Sequence, residues 1–343
     1  MGAIVASLFS FFYAFLPSTS ESLRTIQRPP TTMNSIAPNG SPIVLLDGGT
    51  GQELIHRSSR PPTRLWSASV MMDEPGLVEA VHRDFIDAGA RVLTLNNYTT
   101  TPQRLAREQR ADWFTGLHQA AILAAQRSRQ HARQPKDISL AGCLPPLVSS
   151  YHSADVPQAE VCLDQYRQLV AAQAHAVDLF LCETLSTVVE VQTAVKAACE
   201  SGKTVWVAMT VDDQDGTRLR SGQTLADGVA AAVAGGANAV LINCSWPEAA
   251  TQGMDVLGAS GLPFGAYANG FTQANHLQKG ATVATLQARA DLDPSRYAQH
   301  AMAWVAKGAR IVGGCCEVGP AHIRELAQVL QQNGFVPVQQ LPA

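Results

Sequence analysis

Three cysteines stand where their chemistry could combine. Cys244 closes the run "AVLINCS" (239–245), and Cys315 and Cys316 stand side by side in "RIVGGCC" (310–316). Three thiolates with an open fourth position form the ligand pattern of a catalytic zinc site, and thiolates favour zinc among the common divalent ions. A cation held this way can bind an incoming thiol and remove its proton, which turns a weak nucleophile into a good one. Two other readings stay open. Cys315 and Cys316 could form a redox disulfide, although neighbours are strained partners, and free cysteines are often plain core residues. The core reading suits Cys162 and Cys199, which fall in helical patterns, and Cys182, whose side chain alternates with that of Glu183. Cys143 borders a strand end and has no evident partner.

The elements that must position these residues alternate along the chain. Short apolar runs occupy 43–48, 91–98, 138–145, 178–184, 204–211, 239–245, 263–270 and 310–316. They are nearly continuous in apolar character, as strands buried on both faces should be. Helical patterns lie between them, several ending in "AGA", "GGA" or "KGA". Eight strands alternating with eight helices over about 300 residues predict a single-domain (β/α)8 TIM barrel. A doubly wound open sheet is the alternative, but "DGGTGQEL" after the first strand lacks the glycine spacing of a dinucleotide fingerprint. In a barrel, chemistry gathers at the C-terminal strand ends. Asp47, Gly48, Gly49, Tyr98, Glu183, Asn243, Cys244, Asn269, Cys315 and Cys316 all fall there. Gly313 and Gly314 give the last strand freedom to bend, so that both cysteines can face inward.

Composition narrows the rest. The 343 residues carry a formal net charge of −3, with no basic surplus or charge run that would suit nucleic acid. Seven cysteines, an odd number in a large ordinary chain, fit a reducing compartment such as the cytoplasm. Residues 1–40 read as a leader and linker, and 41–338 as the barrel. "AIVASLFSFFYAFL" (3–16) is shorter than the roughly 20 residues of a bilayer span, and no Lys or Arg precedes it. A stable membrane span is therefore not expected. Met33 is a candidate alternative start, and a cleaved signal remains a second option. The sequence does not fix an oligomeric state.

These residues also carry a resemblance. "LLDGGTGQEL", "LWSAS", "VHRDFIDAGARVLTLNNYTTTP", "DLFLCETL", "LINCSWPE" and "IVGGCCEVGPAHI" together make the chain similar to the zinc-dependent homocysteine S-methyltransferases, a group that uses S-methylmethionine or betaine. The resemblance covers nearly all of 43–325. It implies a (β/α)8 barrel, zinc on Cys244, Cys315 and Cys316, and homocysteine recognition by the Asp47-Gly48-Gly49 turn and Glu183. The chain departs from the family pattern at "AGCLPPLVSSYHS", "AYANGF" and the "EVG" after the cysteine pair, which leaves the donor open.

The resemblance implies methyl transfer from a sulfonium donor, S-methylmethionine or S-adenosylmethionine, to homocysteine, giving methionine. The leaving group is neutral and needs no general acid, which agrees with the absence of histidine from every strand end. Asp47 and Glu183 would take the substrate ammonium by charge-assisted hydrogen bonds, and amides of the Gly48–Gly49 turn its carboxylate. Asn243 and Asn269 would orient ligands, and Trp66 and Tyr98 would face a cationic donor. The long segment 270–293 reads as a lid or a donor-site wall. Another thiol or selenol acceptor, such as selenocysteine, or a non-catalytic zinc-stabilised barrel, is the alternative.

Overall fold

The computed structural model describes residues 40–274, 277, 283 and 286–342. The expected leader over residues 1–40 lies, save for Gly40, outside the described residues. Among the described residues, nine strands alternate with eleven α-helices, numbered here in chain order. The strands are β1 (Ser41–Leu45), β2 (Val92–Thr94), β3 (Ser139–Leu144), β4 (Leu179–Leu185), β5 (Thr204–Met209), β6 (Ala239–Asn243), β7 (Phe264–Tyr267), β8 (Ile311–Val312) and β9 (Phe335–Val338).

Every pairing is parallel, in the order β2-β3-β4-β5-β6-β7-β8-β1-β9. The row closes on itself. Leu46 bridges Val92, Asp47 N–H donates to the Val92 carbonyl at 3.0 Å, and Arg91 N–H donates to the Leu45 carbonyl at 2.8 Å. The expected (β/α)8 barrel is therefore the fold. The ninth strand was not expected: β9 runs beside β1, on the flank away from β8.

Strand alternation builds two cores. Val44, Leu46, Ala141, Leu179, Leu181, Trp206, Ala208 and Leu241 fill the barrel interior. Their neighbours Ile43, Leu45, Leu140, Phe180, Cys182, Val205, Val207 and Val240 pack outward with the helices, as a period of two requires. Cys182 is thus an outward core residue, and Cys162 is buried in the same layer.

The helices begin and end where local chemistry dictates. α3 (Pro75–Ala88) opens on a proline and stops at Gly89, whose φ of 116° closes the helix left-handed. α7 (Val188–Cys199) starts with a reciprocal cap: Thr187 Oγ1 accepts from Glu190 N–H at 3.1 Å, and Glu190 accepts from Thr187 N–H at 3.0 Å. The strands are shorter than the apolar runs that announced them. β2 stops at Thr94 and β8 at Val312, so Leu95–Tyr98 and Gly313–Cys316 are free to form the loops of the mouth. Among the described residues, no helix is long and apolar enough to cross a membrane.

Candidate active site

The mouth at the C-terminal strand ends holds a cavity of about 840 Å³, counting the space that opens to solvent. Cys244, Cys315 and Cys316 lie on its wall, their sulfurs all within 4.8 Å of one another. Strand β7 laces the two cysteine-bearing ends together. Cys244 N–H donates to the Tyr267 carbonyl at 3.3 Å, and Cys315 N–H to the Ala268 carbonyl at 2.9 Å. Cys244 itself sits at φ 49°, a left-handed conformation that a non-glycine residue adopts at a cost, and this turns it off the strand.

Cys244 and Cys315 are joined as a disulfide, with Cys316 free beside them. The bond is not the vicinal one considered from sequence; it links two different strand ends. It is the oxidised form of the same three-sulfur set, and a metal on this set requires the reduced thiols.

The glycines before the pair act differently from expectation. Neither Gly313 nor Gly314 has a left-handed φ. Their role is close approach: a Cβ on Gly314 would lie 2.2 Å from Val318 Cγ1, and one on Gly49 would lie 2.5 Å from the Cys315 carbonyl oxygen. The first and last βα turns therefore pack backbone to backbone, which seats the cysteine pair beside Asp47.

Asp47 is buried and accepts from Thr94 N–H at 2.8 Å. Burial, helped by the nearby charge of Glu183 and opposed by the Thr94 bonds, pushes its pKa up to about 8. Glu183, also buried, accepts from the Cys143 thiol at 2.9 Å and the Tyr267 hydroxyl at 3.2 Å, and burial raises its pKa as well. Cys143 thus has a partner that its sequence position did not suggest. The parity of Ala141 and Leu181, both inward, was the available signal, since Cys143 and Glu183 continue those alternations. Two desolvated carboxyl groups at one spot favour a cationic ligand, which would restore their charged forms.

The Gly48–Gly49 turn offers less than expected. Gly49 N–H is already donated to the Val318 carbonyl at 2.9 Å, and Thr50 N–H to the Gly48 carbonyl at 2.8 Å. Glu53 N–H is likewise donated to the Gly49 carbonyl at 2.9 Å, so the donors left for a carboxylate in the first turn of α1 (Thr50–Arg57) are those of Gly51, which lines the cavity, and Gln52.

Asn243 and Asn269 are fully buried and neither lines the cavity; they stand behind it. Asn243 instead clamps Thr184: its Oδ1 accepts from Thr184 N–H and its Nδ2 donates to Thr184 Oγ1, both at 2.9 Å. That holds Thr184 at φ 61° and fixes the strand end carrying Glu183. Asn269 Oδ1 accepts from Phe271 N–H at 3.2 Å, at the root of the 270–293 segment.

Trp66 and Tyr98 do line the cavity, edge to face with ring centres 6.1 Å apart. Trp66 stands at φ 49°, and its indole N–H donates to Gln52 Oε1 at 3.0 Å. Sequence reasoning missed Thr94, Arg104, Ser150, Tyr151 and Thr184, which also line the cavity. Of the 270–293 segment, Leu277 and Val283 reach the cavity wall. Its base is tied by Phe271 bridging Ala288 and by Arg289 N–H donating to the Gly270 carbonyl at 2.7 Å.

Fold and site together define a barrel enzyme whose mouth joins a thiol cluster to two buried carboxyl groups. The chain belongs to the homocysteine S-methyltransferase family, whose sequence model matches residues 44–330, and it is a methyltransferase. It is 29% identical to the homocysteine S-methyltransferase of Escherichia coli strain K12, over 83% of this chain and 94% of that protein. It is 26% identical to homocysteine S-methyltransferase YbgG of Bacillus subtilis strain 168, over 83% of this chain and 94% of that protein. The crystal structure of the E. coli homocysteine methyltransferase MmuM in its metallated form superposes with a TM-score of 0.70 at 27% identity, covering 84% of this chain and 96% of that one.

Proposed function

We propose that this chain transfers a methyl group from a sulfonium donor, S-methylmethionine or S-adenosylmethionine, to the thiol of homocysteine, releasing methionine. The observation that carries the reading is the meeting of three sulfurs within 4.8 Å of one another and two buried carboxyl groups on one cavity. In its reduced form the Cys244, Cys315 and Cys316 set fits zinc: it supplies three soft ligands and leaves a position open. When bound there, the ion supplies Lewis acidity that lowers the pKa of the substrate thiol.

The protein does the rest. Asp47 and Glu183 hold the homocysteine ammonium, and its arrival draws both carboxyls into their charged forms. The first turn of α1 takes the carboxylate. Thr94 and the Asn243–Thr184 clamp keep these groups in place before substrate enters, so little ordering is left to the bound state. Trp66 and Tyr98 present aromatic faces to the cationic donor, while Leu277 and Val283 help to exclude water. The product sulfide leaves neutral, so no side chain has to protonate it. A reducing compartment, the cytoplasm, suits thiolate ligands, and methionine biosynthesis is the corresponding role.

The test is methionine formation by reduced, zinc-loaded protein, with S-methylmethionine, S-adenosylmethionine and betaine run in parallel and selenocysteine offered as competing acceptor. Methionine from a sulfonium donor at rates above betaine is the expected result. Stoichiometric zinc without methyl transfer to any acceptor would overturn the reading.

A further inference from the structure

Among the described residues, Arg104 carries a charge without a carboxylate counter-ion. It stands in α4 (Pro102–Arg107), the short helix after β2, and its side chain turns back onto the cavity wall, 7% exposed. One guanidinium nitrogen donates to the Pro146 carbonyl at 3.2 Å and to Ser150 Oγ at 3.3 Å. The guanidinium carbon lies 5.4 Å from the centre of the Tyr98 ring. Among the described residues, the buried Nε has no hydrogen-bond partner. The side chains beside it include the phenols of Tyr98 and Tyr166 and the thiol of Cys143, all held neutral by burial. The segment 270–290, part of which walls the cavity, contains no Asp or Glu.

Elsewhere the same molecule pairs arginines with carboxylates. Arg220, with a side chain 2% exposed, pairs with Asp213 at 2.9 Å. Arg289 is gripped by Glu248 and Asp291, each at 2.8 Å. An unpaired buried guanidinium costs several kcal/mol, as rough scale, unless something supplies the opposite charge. A planar fork of donors with one arm unused matches a carboxylate better than any other common anion of small metabolites.

We propose that Arg104 forms a carboxylate subsite that anchors the methyl donor, so that the enzyme selects sulfonium or ammonium donors bearing a carboxylate on the same chain. The proposal rests on the methyl-transfer reading above. It assigns the carboxylate to the donor, not to homocysteine, for a spatial reason. The homocysteine ammonium is accounted for at Asp47 and Glu183, with the first turn of α1 beside them. Arg104 stands behind Tyr98, whose ring meets Trp66. A zwitterionic donor laid along this wall puts its cationic centre over the aromatic faces and its carboxylate on the guanidinium.

The experiment compares S-methylmethionine with its carboxamide, which keeps the sulfonium and loses the anion. The wild type, R104K and R104M are assayed as full-length zinc-loaded enzymes at saturating homocysteine. Wild type should prefer the carboxylate donor by about 10- to 100-fold in kcat/KM, the scale of a charge-assisted contact. R104M should bring the two donors to within about 3-fold of each other by losing activity with the acid only, with R104K between them and the KM for homocysteine unchanged. Equal losses with both donors, or a rise in the homocysteine KM, would assign Arg104 elsewhere and overturn the subsite. If R104M does not fold, the wild-type preference for acid over amide decides alone, and its absence overturns the proposal. If wild type transfers no methyl group from any donor, the functional reading fails, and calorimetric titration still tests the subsite. S-methylmethionine binding that is stronger than that of the amide and is weakened in R104K would support it. Equal binding of acid and amide would sink it.

Discussion

The two walls of the cavity are built on different principles. The thiol and carboxyl wall consists of strand ends. Asp47 is latched by the Thr94 amide, Glu183 sits behind the Asn243–Thr184 clamp, and the cysteine ends are laced through β7. The aromatic part of the lining, which packs against Cys244 and Cys316, comes instead from the segments that connect strands to helices. Trp66 precedes α2 (Ser67–Asp73), Tyr98 and Arg104 follow β2, Ser150 and Tyr151 follow β3, and Leu277 and Val283 follow β7. Left-handed, non-glycine residues occur on both, Thr184 and Cys244 on the first and Trp66 and Tyr151 on the second, so backbone strain is concentrated around the whole mouth. The difference teaches a division of labour. On the proposed function, the barrel fixes the nucleophile's binding groups on its rigid frame and leaves the second substrate to connections that can change without disturbing the frame.

That division orders the expected effects of mutation. The largest belong to the sulfurs. Cys244→Ala, Cys315→Ala or Cys316→Ala should each reduce zinc below one equivalent and lower methionine formation by about 10³-fold or more, since a three-ligand site does not survive as two. Metal analysis beside the activity assay checks this, and full zinc retention in all three variants would refute the ligand set. Because Cys244 and Cys315 are joined by a disulfide here, zinc loading of protein prepared without reductant should be low and should recover on reduction.

Next come the carboxyls. Glu183→Gln and Asp47→Asn each remove half of the proposed ammonium site and should lower kcat/KM for homocysteine by about 10²-fold, a loss of roughly 3 kcal/mol. Donor KM should stay close to wild type. Asp47 also carries a stability signature. Its pKa in the folded protein, about 8, lies above the ordinary 3.8. The folded state therefore holds the proton more tightly, and this contribution is full below about pH 4 and is lost as pH rises through about 8. In ligand-free protein the melting temperature should fall more steeply between pH 6 and 9 for wild type than for Asp47→Asn, and homocysteine should narrow the gap. Parallel curves would show that the Asp47 carboxyl is not desolvated in solution.

The same contrast explains what the sequence disclosed. Strand ends were legible because alternating apolar runs locate them and barrel geometry gathers their last residues. Asp47, Glu183 and the three cysteines, all of which line the cavity, could be placed at the mouth that way. Loops were opaque. Nothing in "TTTPQRL" says that Arg104 turns back over Tyr98 instead of facing solvent, because that depends on where Pro146 and Ser150 arrive from the next βα loop. Asn243 and Asn269 were legible as strand-end residues but not in their direction: hydrogen bonds to Thr184 and to the Phe271 amide turn them from the cavity. Strand β9 escaped because "FVPV" is brief and contains a proline, which only an edge position tolerates.

The smallest expected effect tests whether the loop wall is as adjustable as its construction suggests. Glu317, at φ 63°, stands in the "EVG" that departs from the family pattern, and it accepts from Gln52 Nε2 and pairs with His56 at 3.1 Å. Gln52 in turn accepts the Trp66 indole N–H. This relay ties the turn after β8 to the aromatic wall without touching Asp47 or Glu183. Its outer end is weak, because His56 is largely exposed and such pairs contribute under about 1 kcal/mol. Gln52→Leu should therefore raise the donor KM by about 3- to 10-fold through a less fixed Trp66, and Glu317→Gln by about 2-fold, with homocysteine KM unmoved in both. Steady-state kinetics with each substrate varied in turn separates the walls. A matched rise in both KM values would mean that the relay supports the frame as a whole, and that the two walls are not independent.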